Sequence, residues 1–248
     1  MHRFYLAPED CRGESLRLDG REAHHALHVL RLKRGDEAVV LDGSGNEFIC
    51  AVENVAKNSL SLAVKEKKSA AAPPCSITLL VGIPKGKIIE SIIQKSVELG
   101  ARRIVPLLTE RVVTRLNDEG AANKQEQWRQ VAIEAIKQCG AHWLPQIETP
   151  ISLSTIPYPP SAFELSLVGS LQPERRHPKV ILGEFEKSHG RPPKSVAVWI
   201  GPEGDFTSDE LQSIIKSGAQ PISLGNLTLR VETAAIYCLS ILNHELNR

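Results

Sequence analysis

The sequence predicts an α/β protein in which a small β-barrel domain precedes a larger domain with a mostly parallel sheet. Three observations support this prediction. Residues 1–70 contain short apolar segments with period-two alternation, and a charged, alanine-rich and proline-rich break follows at 65–74. From residue 75 onward, apolar runs alternate with segments of helical spacing. We therefore place a first domain at 1–70 and a second at 75–248.

The first domain is predicted to be antiparallel because a turn signal separates its strands. Strands are predicted at 39–41, 48–52 and 60–64, and Asp42-Gly43-Ser44-Gly45 between the first two is typical of a hairpin. A short helix is predicted at 21–30.

The second domain alternates strand and helix. A continuous apolar run suited to a buried parallel strand is found at 77–81, and further strands are predicted at 104–108, 165–168, 196–200 and 221–224. Segments of helical spacing are found at 87–99, 124–139 and 230–247, and Gly100 and Gly140 stand where helices commonly end. Such alternation is typical of an α/β domain with a mostly parallel sheet.

Composition restricts the class of protein more than its partners. The 248 residues are 42% hydrophobic and carry a net charge of +1, so a nucleic-acid partner would need a local basic patch. The five cysteines form no C-x-x-C pair, which favours free thiols in a reducing compartment. With no signal-like leader and no apolar run long enough to span a bilayer, we expect a cytoplasmic protein without a membrane partner.

Two glycine-containing loops that directly follow predicted strands are the candidate site. Residues 200–207 read Ile-Gly-Pro-Glu-Gly-Asp-Phe-Thr, with a predicted capping box between Thr207 and Glu210. Residues 224–235 form the second loop and the start of the last helix. Arg230 is the sharper signal, because a cation is unfavourable at a helix N-terminus unless it faces an anionic or carbonyl partner. The third strand end, at 167–171, is weak by itself.

Several site types are missing from the sequence. We find no P-loop, no G-x-G-x-x-G, no nucleophile elbow and no metal-ligand cluster, so no metal is predicted. The remaining features favour a small neutral or cationic cofactor held by main chain, with chemistry that depends on positioning. Two alternatives stay open at this point: a simple strand-to-helix turn, and a phosphate- or nucleotide-binding enzyme that uses the 201–204 loop.

The sequence resembles the family of 16S ribosomal RNA uridine-N3 methyltransferases of the SPOUT superfamily. The C-terminal motifs are Ile200-Gly201-Pro202-Glu203-Gly204, Leu224-Gly225, Leu229-Arg230 and Glu232-Thr233-Ala234. Upstream motifs in the same order are 24–36, Lys95 with Glu98-Leu99-Gly100, Pro106 with Glu110-Arg111, and Glu134-Ala135 with Gln138-Cys139-Gly140. They extend over nearly the whole chain.

The resemblance implies a SPOUT-type trefoil knot in the second domain, a PUA-like RNA-binding barrel in the first, and a homodimer. It implies S-adenosylmethionine as cofactor and one uridine of small-subunit ribosomal RNA as target. By position, it implies cofactor contacts from three strand ends: Leu167, Val168, Gly169, Ile200, Gly201, Glu203, Gly204, Leu224, Gly225 and Leu229.

The resemblance implies that Arg230 faces the substrate base. Because Arg230 is a cation at a helix N-terminus beside these loops, we predict that it stabilises the anionic uridine formed when N3 loses its proton. Glu232, Asp205 and water are the candidates for accepting that proton. Basic side chains are the candidates for RNA contact: Arg3, Arg31, Lys33, Arg34 and Arg111, with Arg102, Arg103 and Arg115 beside them and His24, His25 and His28 alongside.

Three positions depart from the family pattern. Asp205 replaces a usual glycine, Ala141 a usual arginine and Val231 a usual threonine. Because Asp tolerates a left-handed backbone, we expect the 201–205 loop to keep its shape. Two alternatives remain for function: a non-catalytic RNA-binding protein that retains the fold, and a SPOUT methyltransferase acting on another RNA base.

Overall fold

The computed structural model describes residues 1–112, 117–156 and 162–247, which form two compact units. The first unit contains 1–72 and 133–144, and the second contains 73–132 and 145–248. The candidate Arg115 lies outside the described residues. No helix in the described part of the chain is both long and apolar enough to cross a membrane.

The first unit is built on a five-stranded sheet. Its strands are β1 (His2–Tyr5), β2 (Ser15–Leu18), β3 (Glu37–Leu41), β4 (Asn46–Val55) and β5 (Leu60–Ser69), in the order β1-β3-β4-β5-β2. All neighbours are antiparallel except β1 and β3, which are parallel. Inward-facing side chains of all five strands, such as Phe4, Leu16, Val40, Val52 and Leu62, form one core.

The first unit also contains a short helix and a tight hairpin. The predicted 21–30 helix is found as α1 (Gly20–His24), which continues as a π-helix over His25–Val29. The predicted hairpin turn lies between β3 and β4. There the buried Asp42 carboxylate accepts four hydrogen bonds from Ser44 and Asn46. Burial raises the pKa of Asp42, but these hydrogen bonds outweigh it and hold the pKa below its ordinary value.

Residues 133–144 belong to the first unit although they lie far along the chain. Gly45 N donates to His142 O at 2.9 Å and Leu144 N donates to Gly43 O at 2.9 Å. The buried Lys137 ammonium is 2.8 Å from Glu22 Oε1 and 3.1 Å from Glu134 Oε1. These contacts connect the segment to both the hairpin and α1.

The second unit is an α/β domain with a parallel sheet. Its strands are β6 (Ser76–Gly82), β7 (Arg103–Leu108), β8 (Gln146–Ile147), β9 (Ile151–Ser152), β10 (Leu165–Gly169), β11 (Ser195–Ile200) and β12 (Gln220–Ile222). Their order is β12-β10-β11-β6-β7-β8, and β9 also pairs with β7. Every pairing is parallel, as the alternation of strands and helices predicted.

The helices are α2 (Ile88–Glu98), α3 (Asp118–Cys139, in this unit up to residue 132), α4 (Pro178–His189), α5 (Ser208–Lys216) and α6 (Val231–Leu246). α6 packs against α2, β6 and β11. Leu211 and Ile214 of α5 join the buried Trp199 of β11 in a second core cluster. The Trp199 indole donates to Ser166 Oγ at 2.9 Å, so its one polar group is satisfied inside the sheet.

Candidate functional site

A cleft of about 570 Å³ opens at the carboxyl ends of three adjacent strands, β12, β10 and β11. This is the edge at which open α/β sheets bind ligands. Its lining comes from short segments that follow those strands, together with Ile88: 169–171, 200–205, 224–225, 227–232 and Ala234. The two loops predicted from the sequence therefore meet in one cavity.

The loop after β11 is a tight turn that requires its unusual residues. Asp205 N donates to Pro202 O at 2.8 Å, and Asp205 has φ 62°. The expectation that Asp at this position keeps the left-handed backbone is confirmed. A Cβ on Gly201 would lie only 2.7 Å from Asp205 Oδ1 and 2.9 Å from Phe206 N, so a side chain at Gly201 would displace the turn.

The outer side of this loop is bonded to two other loops of the sheet edge. Glu203 Oε1 accepts from Lys85 N, after β6, at 2.8 Å. The Arg111 guanidinium, after β7, donates to Gly204 O. Because the Glu203 carboxylate is already bonded to a backbone amide, we expect Glu203 to contact a ligand in the cavity mainly through its main chain.

The end of the loop is the predicted N-terminus of α5. The Thr207 side chain accepts from Glu210 N at 3.3 Å and Glu210 Oε2 accepts from Thr207 N at 2.8 Å, so the capping box is confirmed. Glu210 is only 7% exposed, and its other oxygen accepts from Glu110 N at 2.9 Å. The carboxylate thus joins the N-terminus of α5 to the loop after β7.

The loop after β12 supplies the opposite wall. Gly225 has φ 108°, and a Cβ there would meet nothing within 4 Å, so backbone conformation and not space favours glycine. Ser223 Oγ accepts from Gly225 N at 3.3 Å and shapes the turn. Leu227 is 78% exposed at this wall and Leu229 is half-buried in it.

Arg230 is the N-cap residue of α6 and lines the cavity beside Glu232. Its side chain is exposed and makes no capping bond. Among the residues that the structure describes, no carboxylate forms an ion pair with it. A guanidinium at the positive end of a helix dipole, with no anion on the protein, is suited to a partner that carries negative charge.

The structure brings most predicted cofactor residues to this cavity: Gly169, Ile200, Gly201, Glu203, Gly204, Leu224, Gly225 and Leu229. It does not bring Leu167 or Val168 there, because both are fully buried within β10. The predicted cofactor contacts did not include Ile88, Leu171 or Leu227, although positions 171 and 227 lie within the candidate segments 167–171 and 224–235. Leu171 and Leu227 are large apolar residues beside loop glycines, which is a signal that could have indicated them, whereas Ile88 follows a different strand.

The RNA candidates of the first unit have two kinds of environment. Arg31, Lys33 and Arg34 are exposed on the loop after the π-helix, where the His24 and His28 rings are 4.8 Å apart. Arg3 instead donates to Lys137 O and Gln138 O at 3.3 and 3.2 Å. This guanidinium therefore caps the C-terminal carbonyls of α3, which is a structural task.

In the second unit, two further candidates are engaged within the protein. Arg103 lies 3.6 Å from Glu148 Oε1. Arg102 is half-buried, and this burial lowers the pKa of its guanidinium. Arg111 is exposed but contacts Gly204 as described.

Among the residues described, the possible metal ligands do not cluster, and four of the five cysteine thiols are buried. No group of three or more His, Cys, Asp or Glu side chains among them is placed to hold a metal ion. Burial raises the pKa of Cys11, Cys75 and Cys238 to about 12 and that of Cys50 to about 11, so these four thiols stay protonated.

Comparison with known proteins gives consistent relatives over the whole chain. A family model described as an RNA methyltransferase domain matches residues 71–243, and a model described as an RNA methyltransferase PUA domain matches 18–65. The ribosomal RNA small subunit methyltransferase E of Synechocystis is 32% identical over 98% of this chain and 77% of its own length.

Two solved structures share the fold. One is the structure of a putative methyltransferase from Legionella pneumophila in complex with the bound cofactor SAM. It is 31% identical with a TM-score of 0.84, and the match covers 98% of this chain and 97% of that chain. A ribosomal RNA small subunit methyltransferase E from Neisseria gonorrhoeae bound to S-adenosyl methionine is 27% identical, with a TM-score of 0.82 and coverage of 99% and 98%.

Proposed function

The chain belongs to the RNA methyltransferase family, and on that premise we propose that it methylates N3 of one uridine in the 16S ribosomal RNA of the small subunit. It is an rRNA methyltransferase that depends on S-adenosylmethionine. The observation that carries the proposal is the cavity at the ends of β10, β11 and β12, where two glycine loops meet Arg230, which has no ion-pair partner among the described residues.

The residues of the cavity fit this cofactor. A volume of about 570 Å³ lies in the range of small-ligand pockets, and the turns at Gly201 and Gly225 present backbone groups that can read an adenine and a ribose. When bound, S-adenosylmethionine supplies a methyl group already activated by its sulfonium. The protein's own task is to hold the donor, to exclude water and to align the attacking base.

Arg230 acts on the substrate base. Uridine N3 becomes nucleophilic only after it loses its proton, and the negative charge then spreads over O2 and O4. A guanidinium donating to one of these oxygens stabilises the charged form most strongly as the charge develops. The exposure of Arg230 at the cavity wall supports this role, as does the lack of a competing anion among the described residues.

Glu232 is favoured over Asp205 as the group that accepts the N3 proton. Asp205 Oδ1 already accepts from Phe206 N at 2.8 Å and shapes the turn, so this carboxylate has a structural task. The Glu232 carboxylate lines the same cavity as Arg230 and accepts no hydrogen bond within the described part of the chain.

RNA binding and assembly are proposed on the family resemblance and on the PUA model match. Arg31, Lys33 and Arg34 are the proposed phosphate contacts of the first unit because they are exposed, whereas Arg3 is committed to α3. The target uridine must be unstacked to reach the cavity, so the substrate is a loop or strand end and not an intact duplex. The homodimer, the trefoil knot and the cytoplasmic location remain predictions of the resemblance.

The non-catalytic alternative loses one of its two arguments. It relied on Asp205 and Ala141 as signs of decay, but Asp205 adopts the left-handed conformation that a glycine would otherwise supply. The other argument remains, because Ala141 stands where the family usually has arginine. Ala141 is not among the residues that line the cofactor cavity.

Two measurements test the proposal. We expect calorimetry of the purified full-length chain to show binding of S-adenosylmethionine, since a protein that cannot hold the donor cannot be the enzyme. In cells lacking the gene, we expect mass mapping of small-subunit rRNA to show the loss of one N3-methylated uridine, restored by the intact gene. Loss of methylation at a different base would replace the substrate while keeping the reaction, and no change in rRNA methylation would reject the enzyme.

A further inference from the structure

The peptide group between Gly204 and Asp205 is held at both of its polar ends. Its carbonyl oxygen, Gly204 O, accepts from the Arg111 guanidinium. Its amide, Asp205 N, donates to Pro202 O at 2.8 Å. Since one peptide plane contains both groups, the two bonds fix its orientation, and with it the left-handed φ of 62° at Asp205.

Arg111 contacts Gly204 through its apolar stem as well as through its charge. A Cβ built on Gly204 would lie 3.2 Å from Arg111 Cδ and 3.5 Å from Arg111 Cβ. The Arg111 side chain therefore packs against Gly204 from its Cβ to its Cδ. Although Arg111 is exposed, this packing of its stem against Gly204 limits its freedom to leave for a distant partner.

The backbone that carries Arg111 is itself fixed to the same turn. Glu110 N donates to Glu210 Oε1 at 2.9 Å, and Glu210 Oε2 accepts from Thr207 N at 2.8 Å. The contacts close a ring from Gly204 through Thr207 and Glu210 to Glu110 and Arg111. A nearly buried carboxylate at one point of the ring makes its geometry costly to change.

We propose that Arg111 is a positioning residue for the cofactor loop, acting on S-adenosylmethionine affinity through the Gly204 carbonyl and not through RNA. The inference rests on the proposed function, because it takes the cavity at 201–205 to be the cofactor site. It also separates Arg111 from the exposed cations at 31–34. The side chains of those cations form no hydrogen bond or ion pair with other described residues.

The test compares three full-length variants with the wild type. Arg111→Met keeps the stem and removes the donor, Arg111→Lys restores a donor, and Arg34→Met is a matched loss of one exposed arginine. Calorimetry without RNA gives the dissociation constant for S-adenosylmethionine. Binding to small ribosomal subunits from cells lacking the gene gives RNA affinity, and circular dichroism melting checks that each variant is folded.

We expect Arg111→Met to weaken S-adenosylmethionine binding about tenfold, as the loss of a charge-assisted hydrogen bond predicts. Subunit affinity should stay within about twofold, and Arg111→Lys should recover most of the donor affinity. Arg34→Met should show the reverse pattern, with subunit affinity lowered and donor affinity unchanged. In turnover, Arg111→Met should raise KM for the donor and leave kcat at saturating donor nearly unchanged.

A double-mutant cycle with Gly204→Ala keeps the proposal testable if Arg111→Met is poorly folded. The cycle pairs Gly204→Ala with Arg111→Ala, a further variant that shortens the side chain to its Cβ. In the Arg111→Ala background the added methyl at 204 should cost less donor affinity, because the 3.2 Å contact with Arg111 Cδ is gone. Additive effects would overturn the inference, as would wild-type donor affinity in Arg111→Met with weakened subunit binding. Failure of the wild type to bind the donor would instead reject the proposed function.

Discussion

Arg230 and Asp205 mark what single residues could and could not reveal. Asp205 stands where the family usually has glycine, yet the tolerance of Asp for a left-handed backbone predicted the observed conformation. Arg230 was identifiable because a cation at a helix N-terminus is unfavourable without a partner. The engagement of Glu203 with Lys85 N was not predictable, because 118 positions separate the two residues and only the fold brings them together.

Arg230→Ala should separate chemistry from donor binding. We expect kcat to fall about 10²-fold or more, the usual effect of removing one donor to a developing oxyanion. The dissociation constant for S-adenosylmethionine should stay within about twofold, because the guanidinium acts on the base. Arg230→Lys is the control, since a retained cation should keep part of the rate. Near-normal turnover in Arg230→Ala would remove this role.

At the scale of elements, apolar periodicity predicted where helices and strands lie but not their finer geometry. The helix predicted at 21–30 contains a π-helical stretch at His25–Val29, which apolar spacing cannot distinguish from an α-helix. The capping box of α5 was predicted because both of its partners lie within one turn. The second bond of Glu210, to Glu110 N, was not predictable because it joins two different loops.

The two tasks of Glu210 can be separated by comparison with Thr207. Thr207→Ala removes one cap bond and should lower the free energy of unfolding by about 1 kcal/mol. Glu210→Ala removes the cap and the bond to Glu110 N from a buried carboxylate, so we expect a loss of about 2 kcal/mol or more. Urea unfolding measures both. Equal losses in the two variants would mean that the bond to Glu110 adds nothing.

At the scale of the whole molecule, the fold class follows from the alternation of strand and helix, but the composition of each unit does not. No local pattern indicates that 133–144 joins the first unit, since its contacts are long-range: Arg3 to Lys137 O, Lys137 to Glu22, and Gly45 to His142 O. Strand order is likewise beyond local pattern, because β6 lies between β11 and β7.

A fragment that ends at Ala72 should therefore fold poorly. It lacks the partners of Glu22, Gly43 and Gly45, and a domain of this size has little stability to lose. We expect the first unit within the full chain to show slow amide exchange in β3 and β4, and the 1–72 fragment to show little protection. Glu22→Gln in the full chain is a milder control for the ion pair alone. Equal protection in the fragment would show that 133–144 is dispensable.

The late-arriving segment also affects how the protein is made. Translation usually lets an N-terminal domain fold first, while the rest of the chain is still being synthesised. In this protein we expect a different order, because the nascent chain must grow past Leu144 before Glu22, Gly43 and Gly45 have their partners in 133–144. More than half of the chain is then synthesised before the first unit is complete, so the folding of the first unit depends on the synthesis of part of the second unit.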